Sequence, residues 1–272
     1  MSLILKFYLR RMDKLHSVSR YLRHRLLGLS PHGIHSPFVF DLFNKVILDE
    51  TPYYFYEDIE SLRAKLSLDE SVVSVTDFGT GGQNHASRKL KVSFIAKNFL
   101  QGRKNAQLIS RLVNHFKPSH ILELGTSLGI TTAYMALPHK NAEVITLEGC
   151  PETAKIAQQN FKSLGLKNIE LICGEFEKSI PVALSRTNTL DFVYFDGNHQ
   201  REATMKYFND CLVQRTESSV FVFDDIHWSR EMSEAWNEIN EHHDVNLSLD
   251  LFHVGLIFFR KGLPKQHFIL KY

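Results

Sequence analysis

Two acidic residues and a glycine turn stand where the chain could hold a nucleotide-like cofactor. The segment Glu123–Gly129 reads Glu-Leu-Gly-Thr-Ser-Leu-Gly and follows a short apolar run, so its glycines lie on a turn from a strand into a helix. Glu148 ends the next apolar run, where a carboxylate can accept hydrogen bonds from both hydroxyls of a ribose. Together they predict a cofactor site that consists of Glu123, Gly125, Thr126, Ser127, Gly129 and Glu148.

A third apolar run ends in Cys173-Gly174-Glu175-Phe176. Gly174 permits a turn, the Glu175 carboxylate could accept a hydrogen bond from an adenine amine, and the Phe176 ring could cover the face of the adenine. The same residues also fit a structural role, with Phe176 in the core and Glu175 as a charge at a helix N-terminus. The sequence leaves both interpretations open.

Acidic residues also follow the fourth and fifth apolar runs. Asp196 begins the segment Asp-Gly-Asn-His, and Asp224 and Asp225 begin Asp-Asp-Ile-His-Trp. Because neighbouring parallel strands end at one edge of a sheet, we expect the three carboxylates to face one cleft. They would repel one another unless protons or a cation intervene, and hard oxygen ligands suit Mg²⁺. The alternative is that Asp224 and Asp225 cap the next turn.

The elements that must hold these residues alternate regularly beyond Pro118. Amphipathic stretches alternate with short apolar runs at residues 120–124, 143–147, 169–173, 190–195 and 219–223. The runs at 246–252 and 254–260 are too close for a crossover helix and predict an antiparallel hairpin. The predicted fold class is α/β, with a doubly wound, seven-stranded, mostly parallel sheet, a terminal antiparallel hairpin and a mainly helical N-terminal extension.

With these motifs in this order, the chain resembles class I S-adenosylmethionine-dependent methyltransferases over roughly residues 117–262. The glycine turn, Glu148, the segment 174–176 and Asp196 fall where that family's ordered motifs fall, and the terminal hairpin is the family's characteristic sheet ending. The resemblance implies S-adenosylmethionine as cofactor, with Asp196 among its contacts. An NAD-linked oxidoreductase is disfavoured, because the turn lacks the three close-set glycines of the dinucleotide fingerprint.

Within that family the acidic residues are similar to those of the metal-dependent catechol and caffeoyl-coenzyme A type of O-methyltransferase. By that resemblance Asp196, Asp224 and Asp225 hold Mg²⁺, and the reaction is O-methylation of a small hydroxylated acceptor. The catechol branch has a lysine general base three residues beyond the first aspartate, whereas this chain has His199, whose neutral imidazole could also take a hydroxyl proton. His199 and Asp196 are the predicted catalytic residues. The substrate side is expected to be lined by His227, Trp228 and Arg230.

Two other functions remain alternatives. The first is N-methylation of a nucleic acid or a protein, which is disfavoured because Asp196-Gly-Asn-His lacks the proline of the Asn-Pro-Pro-Tyr type of motif. The second is a non-catalytic scaffold that keeps the fold for binding. The intact glycine turn and Glu148 argue against a decayed cofactor site, and so against the scaffold.

Positive charge is concentrated at the N-terminus. Residues 1–36 carry seven Lys or Arg and one Asp, a net +6, whereas the whole chain of 272 residues carries +2. Apolar residues recur among these bases at helical spacing from Leu3 to Leu29, which predicts one or two amphipathic helices. The favoured interpretation is a solvated basic face that packs on the main domain. Peripheral contact with an anionic membrane and pairing of two subunits are the alternatives, and nucleic acid is a less favoured partner.

The chain is predicted to divide into an N-terminal extension, residues 1–110, and a cofactor-binding domain, residues 111–272. The hypothesis for the extension is a lid over the cleft. Residues 71–83 read as a strand that enters a second glycine turn. No strand that ends in an acidic residue follows at the distance that a ribose contact requires, so this turn is interpreted as structural or substrate-facing.

Composition agrees with a globular protein in a reducing compartment. Hydrophobic residues make up 43% of the chain and charged residues 23%, which is typical of an ordinary folded domain. Three scattered cysteines are too few for a disulfide framework, and no window approaches the ~20 apolar residues of a membrane span. We therefore expect a cytoplasmic location.

Overall fold

The computed structural model of the chain describes residues 18–76, 87–262 and 264–272. The sequence expectations for residues 1–17, and for the second glycine turn beyond Thr76, lie outside the described residues. Within the described ranges, no helix has the length and apolar character needed to cross a membrane.

The N-terminal part combines helices with a small hairpin. Its elements are α1 (residues 18–27), α2 (Pro37–Leu42, continued by a π-helical turn at Phe43–Ile47), α3 (Tyr56–Leu66), β1 (Val72–Thr76), β2 (Ser87–Lys91), α4 (Val92–Asn98) and α5 (Arg103–Phe116). β1 and β2 pair antiparallel in a separate two-stranded sheet. α5 runs through the predicted boundary between residues 110 and 111, so the backbone has no break there. The division of roles between the two parts stays a prediction.

The main sheet contains eight strands within the described residues. They are β3 (His120–Leu124), β4 (Glu143–Glu148), β5 (Ile169–Cys173), β6 (Leu190–Phe195), β7 (Arg215–Asp224), β8 (Leu247–Asp250), β9 (Val254–Phe258) and β10 (Gln266–Ile269). Their order across the sheet is β10-β8-β9-β7-β6-β3-β4-β5. The neighbours from β5 to β7 are parallel, so β3, β4, β5, β6 and β7 all end at one edge.

The end of the sheet confirms the predicted hairpin and adds a strand to it. β9 pairs antiparallel with both β7 and β8. β10 then lies parallel to β8 on its outer side, an eighth strand where the sequence predicted seven. The edge of β10 is partly covered, because Leu29 donates to the carbonyl of Ile269 at 2.8 Å and accepts from the amide of Lys271 at 3.1 Å.

Helices cover both faces of the sheet, as the alternation of apolar residues requires. The crossover helices are α6 (Ile130–Ala136), α7 (Pro151–Ser163), α8 (Phe176–Leu184), α9 (Arg201–Leu212) and α10 (Arg230–Glu241). Ile121 of β3 is in a buried cluster with Leu42 of α2 and Leu112 of α5. Its neighbour Leu122 is in a second cluster with Phe208 of α9. Successive strand residues point to opposite faces, so the N-terminal helices provide part of the core on one face.

Candidate functional site

The turn after β3 brings two strand ends into contact. Gly125 has a φ of 109° and Gly129 a φ of 80°, which strain any residue with a side chain. A Cβ on Gly125 would lie 2.1 Å from the carbonyl oxygen of Asp196, directly after β6. Ser127, between the two glycines, also has a positive φ, 49°. Glycine at position 125 therefore allows the turns after β3 and β6 to touch.

Glu148 fastens the same turn from the end of β4. One of its carboxylate oxygens accepts a hydrogen bond from the backbone amide of Ser127 at 2.7 Å, and the other accepts from the amide of Cys150 at 2.8 Å. Burial raises the pKa of Glu148, although these backbone hydrogen bonds oppose the rise. The structure therefore places the carboxylate beside the glycine turn, where the sequence predicts a ribose contact.

Glu123 lies beneath the turn and is fully buried. The hydroxyls of Thr132 and Thr146 both donate to its Oε2, at 2.5 and 2.6 Å. Its Oε1 has no hydrogen-bond partner among the described residues. Burial raises the pKa of Glu123 from the ordinary 4.5 to about 7, against the lowering effect of the two hydroxyls. A buried carboxyl oxygen without a partner is available for a proton or a ligand.

The raised pKa of Glu123 makes stability depend on pH. The unfolded chain ionises this carboxyl near 4.5 and the folded chain near 7, so the folded state binds more protons between these values. We expect the free energy of unfolding to fall by about 3 kcal/mol as pH rises through this window. Glu123→Gln should flatten the dependence of Tm on pH from about pH 5 to pH 8. Glu143→Gln, at the exposed start of β4, should leave the slope unchanged. Equal slopes in wild type and Glu123→Gln would refute this assignment.

The segment after β5 contains Glu175 and Phe176, for which the sequence allows either an adenine contact or a structural role. Glu175 precedes α8 and forms an ion pair with Lys178 at 3.1 Å. The Phe176 ring packs on Gly197, where a Cβ would lie 2.5 Å from the ring. The ring also meets Tyr207 edge-on, with the centroids 5.5 Å apart. Phe176 is half-buried, and its ring lies against the turn after β6. This position is compatible with both a packing role and an adenine contact.

Asp196 and Asp224 form an acidic pair at the ends of β6 and β7, held by Gln101 from the N-terminal part and by Tyr194 of β6. Gln101, just before α5, donates from Nε2 to Oδ1 of Asp224 at 2.5 Å and to the Tyr194 hydroxyl at 3.3 Å. The Tyr194 hydroxyl donates to Oδ2 of Asp196 at 3.3 Å. Burial raises the pKa of both aspartates. The charge of Asp224 raises the pKa of Asp196 further, and the charge of Asp225 raises the pKa of Asp224 further. The pair therefore tends to retain a proton at neutral pH.

The predicted Mg²⁺ ligands are Asp196, Asp224 and Asp225. Across the part of the chain that the structure describes, the His, Cys, Asp and Glu side chains close enough to share an ion are instead His242, His243 and Asp244. Arg215 already forms an ion pair with Asp244, and its charge disfavours a second cation there. The carboxylates of Asp196, Asp224 and Asp225 are not brought that close to one another among the described residues. Mg²⁺ binding stays a prediction from sequence.

His199 lies beside the acidic pair, as the sequence predicts. Its Nε2 is 3.7 Å from Oδ1 of Asp196, and its ring centroid is 5.9 Å from that of Trp228. Burial lowers the pKa of His199, although the charge of Asp225 opposes this. The imidazole is therefore neutral near pH 7 and can accept a proton. Trp228 is 61% exposed, so it is a surface residue of the cleft and not a core residue.

One buried network near the site was not anticipated from the sequence. Asp250, on β8, accepts a hydrogen bond from Nε2 of His227 at 2.7 Å, and Nε2 of His24 on α1 lies 3.3 Å from its other carboxylate oxygen. Nδ1 of His227 is 3.3 Å from the hydroxyl of Ser233. His227 is therefore buried under the acidic loop and does not line the substrate side, contrary to the expectation from sequence.

Comparison with known sequences gives matches that centre on this site. A family model described as a methyltransferase domain matches residues 122–226. Catechol O-methyltransferase from Sus scrofa is 34% identical over 116 residues, which cover 41% of this chain and 60% of that protein. A tRNA (guanine-N(7)-)-methyltransferase from Mycoplasmopsis synoviae (strain 53) is 31% identical over 101 residues, which cover 35% of this chain and 49% of that protein. The chain spans less than two thirds of the length of these relatives.

Comparison with solved structures supports the fold. The O-methyltransferase from Bacillus cereus in complex with SAH superposes with a TM-score of 0.55 at 15% sequence identity, covering 80% of this chain and 94% of that chain. At this identity the likeness concerns the fold alone. The matched residues 122–226 contain the glycine turn, Glu148, Asp196 and the Asp224-Asp225 pair.

Proposed function

We propose that this protein, whose residues 122–226 form a methyltransferase domain of the class I S-adenosylmethionine-dependent type, transfers a methyl group from S-adenosylmethionine to an oxygen of a small hydroxylated acceptor. The proposal rests on the joined turn, by which we mean the turn after β3 in contact with the turn after β6 and with Glu148 at the end of β4. There Glu148 accepts hydrogen bonds from Ser127 and Cys150, and Gly125 touches Asp196. These contacts bring a carboxylate and exposed backbone together in the way that a nucleoside cofactor requires.

In this proposal each part of the turn contacts a different part of the cofactor. Glu148 accepts hydrogen bonds from the ribose hydroxyls, and the turn with Glu123 beneath it faces the methionine portion. The adenine lies near Glu175 and the ring of Phe176. The proposed cofactor contacts are Glu123, Gly125, Thr126, Ser127, Gly129, Glu148, Gly174, Glu175, Phe176 and Asp196.

The chemical step is an in-line displacement at the methyl carbon. The acceptor oxygen forms a bond to the methyl group, and the bond between carbon and sulfur breaks with its electron pair on sulfur. The acceptor proton goes to the imidazole of His199, which is neutral near pH 7 because burial lowers its pKa. Asp196, 3.7 Å from Nε2 of His199, positions the imidazole, and the nearby charge of Asp225 stabilises the imidazolium that results. Positioning the two reactants supplies much of the rate enhancement.

No step is assigned to Mg²⁺, and Asp196, Asp224 and Asp225 as its ligands stay a prediction from sequence. The acceptor is a small molecule that approaches past Trp228, the exposed aromatic residue beside His199.

Gln101, contributed by the N-terminal part, contacts Asp224 at the same edge. This contact supports the hypothesis that the N-terminal extension helps to close the cleft. The proposed location of the protein is the cytoplasm.

The test is calorimetric titration of the cofactor-stripped protein with S-adenosylmethionine and, separately, with NAD. We expect S-adenosylmethionine to bind and NAD not to bind. Glu148→Ala should raise the Kd for S-adenosylmethionine by about 100-fold, because two charge-assisted hydrogen bonds to the ribose are lost. Glu143→Ala, at the exposed opposite end of the same strand, should leave the Kd unchanged.

Binding of neither cofactor by the wild-type protein would favour the non-catalytic scaffold. Binding that survives Glu148→Ala would refute the assigned ribose contact. Adding EDTA and then Mg²⁺ to a turnover assay with a catechol acceptor measures metal dependence separately.

N-methylation of a nucleic acid is the second candidate, favoured by the match to a tRNA (guanine-N(7)-)-methyltransferase. Against it, Asp196-Gly-Asn-His has no proline to form an amine-binding turn. Transfer of a labelled methyl group to total RNA, compared with transfer to catechol, distinguishes the two candidates. Labelled RNA with no catechol product would replace the O-methylation proposal.

A further inference from the structure

Within residues 18–76, 87–262 and 264–272, no element covers one apolar side of helix α1. Val18, Leu22 and Leu26 are 57%, 58% and 83% exposed. Their spacing of four residues puts them on one side of the helix. An apolar row of this kind on a helix is normally buried against the protein core, so its exposure calls for a partner.

The opposite side of α1 is fixed to the sheet. His24 is 5% exposed and contacts Asp250 of β8. The Tyr21 ring meets Phe252 edge-on, with the centroids 5.1 Å apart. After the helix ends, Leu29 pairs with the backbone of β10. Because these contacts set the rotation of the helix, the apolar row points away from the protein.

Positive charge accompanies the row. Arg23 and Arg25 are exposed on the same helix, and neither forms an ion pair with a described residue. Arg20, four residues before His24, lies on the side that packs on the protein. The surrounding sequence, residues 1–36, carries +6. A helix with exposed leucines and arginines has the composition of one that lies flat at a lipid surface, with leucines in the acyl region and guanidinium groups among the headgroups.

We propose that α1 docks this protein on an anionic membrane surface, through Val18, Leu22, Leu26, Arg23 and Arg25. Charge favours this occupant over a second copy of the chain. A two-fold contact would place the same arginine-rich patch against itself, where like charges repel. Anionic headgroups instead attract each arginine. This surface lies outside the cofactor site, so the proposal does not depend on methyl transfer.

Sedimentation of the full-length protein with lipid vesicles tests the proposal. We expect binding to phosphatidylcholine vesicles that contain phosphatidylserine, weaker binding at high salt, and little binding to phosphatidylcholine alone. The double variant Leu22→Asp, Leu26→Asp should bind the anionic vesicles roughly tenfold more weakly or worse. The control is Leu68→Asp, because Leu68 is 79% exposed and follows α3 instead of lying on α1. Circular dichroism checks that both variants fold.

Three results would overturn the proposal. The first is no binding of the wild-type protein to anionic vesicles. The second is equal binding of wild type and the double variant, which would assign any lipid contact to another segment. The third is a wild-type dimer in sedimentation velocity that dissociates in the double variant, which would assign the row to a second copy of the chain. Titration with S-adenosylmethionine on the same preparations keeps a failure of this proposal distinct from a failure of the proposed activity.

Discussion

Replacing Gly125 with alanine is expected to lower the free energy of unfolding by more than about 4 kcal/mol, or to prevent folding. The added Cβ would lie 2.1 Å from the carbonyl oxygen of Asp196, far inside contact distance. Both atoms belong to or adjoin the backbone, so no side-chain rotation can relieve the overlap. Urea denaturation measures the effect, and any folded fraction should also bind S-adenosylmethionine poorly, because the joined turn must open.

Gly165→Ala is the matched control for that variant. Gly165 also has a positive φ, 68°, but a Cβ there would meet nothing within 4 Å. Its substitution should therefore cost only the backbone strain of a positive φ, about 1 to 2 kcal/mol. Similar losses of stability in the two variants would mean that the contact between Gly125 and Asp196 is absent in solution.

Replacing Asp250 with alanine is expected to destabilise the protein by about 3 to 5 kcal/mol, because it takes the carboxylate acceptor from the buried His227 and leaves the buried His24 only the backbone carbonyl of residue 250. Burial alone would raise the pKa of Asp250, but the hydrogen bonds from His227 and His24 outweigh it and hold that pKa well below its ordinary value. The carboxylate is therefore charged at neutral pH. The stability it provides should be lost only as pH falls below the ordinary range of aspartate.

Hydrogen exchange gives this variant a local signature. Asp250→Ala should release residues 18–27 to fast exchange, because His24 is the buried anchor of α1. The control is Asp244→Ala, which removes a partly exposed ion pair with Arg215 and should cost less than about 1 kcal/mol. Unchanged protection of residues 18–27 in Asp250→Ala would show that another contact holds the helix.

The sheet and its glycine turn could be predicted because their signals are local. The period of apolar residues marks each strand, and glycines at fixed offsets mark the turn at Glu123–Gly129. Parallel strands that end at one edge then bring Asp196, His199 and Asp224 together without further information. The same rule placed Asp225 with them, but it cannot specify the distances that a metal ion requires.

Contacts between distant parts of the chain could not be predicted in the same way. Gln101 lies in a short turn with no motif, and its partners Tyr194 and Asp224 are 93 and 123 residues away. β10 is a short strand that follows a complete hairpin, so no pattern in the sequence predicts an eighth strand. For α1 the sequence favoured packing of the helix on the main domain, yet only His24 of residues 18–27 is fully buried. The leucines and arginines of α1 do not show, from sequence alone, which side of the helix packs on the main domain.

The anchor of α1 also determines when this helix can reach its place during synthesis. His24 and Asp250 are 226 residues apart, and a ribosome adds roughly 5 to 20 residues per second. Roughly eleven to forty-five seconds therefore pass between the synthesis of the helix and that of its anchor. The helix is among the first segments of the described chain to be made and among the last to be secured. A nascent chain released before β8 is complete would contain the helix with no site to hold it.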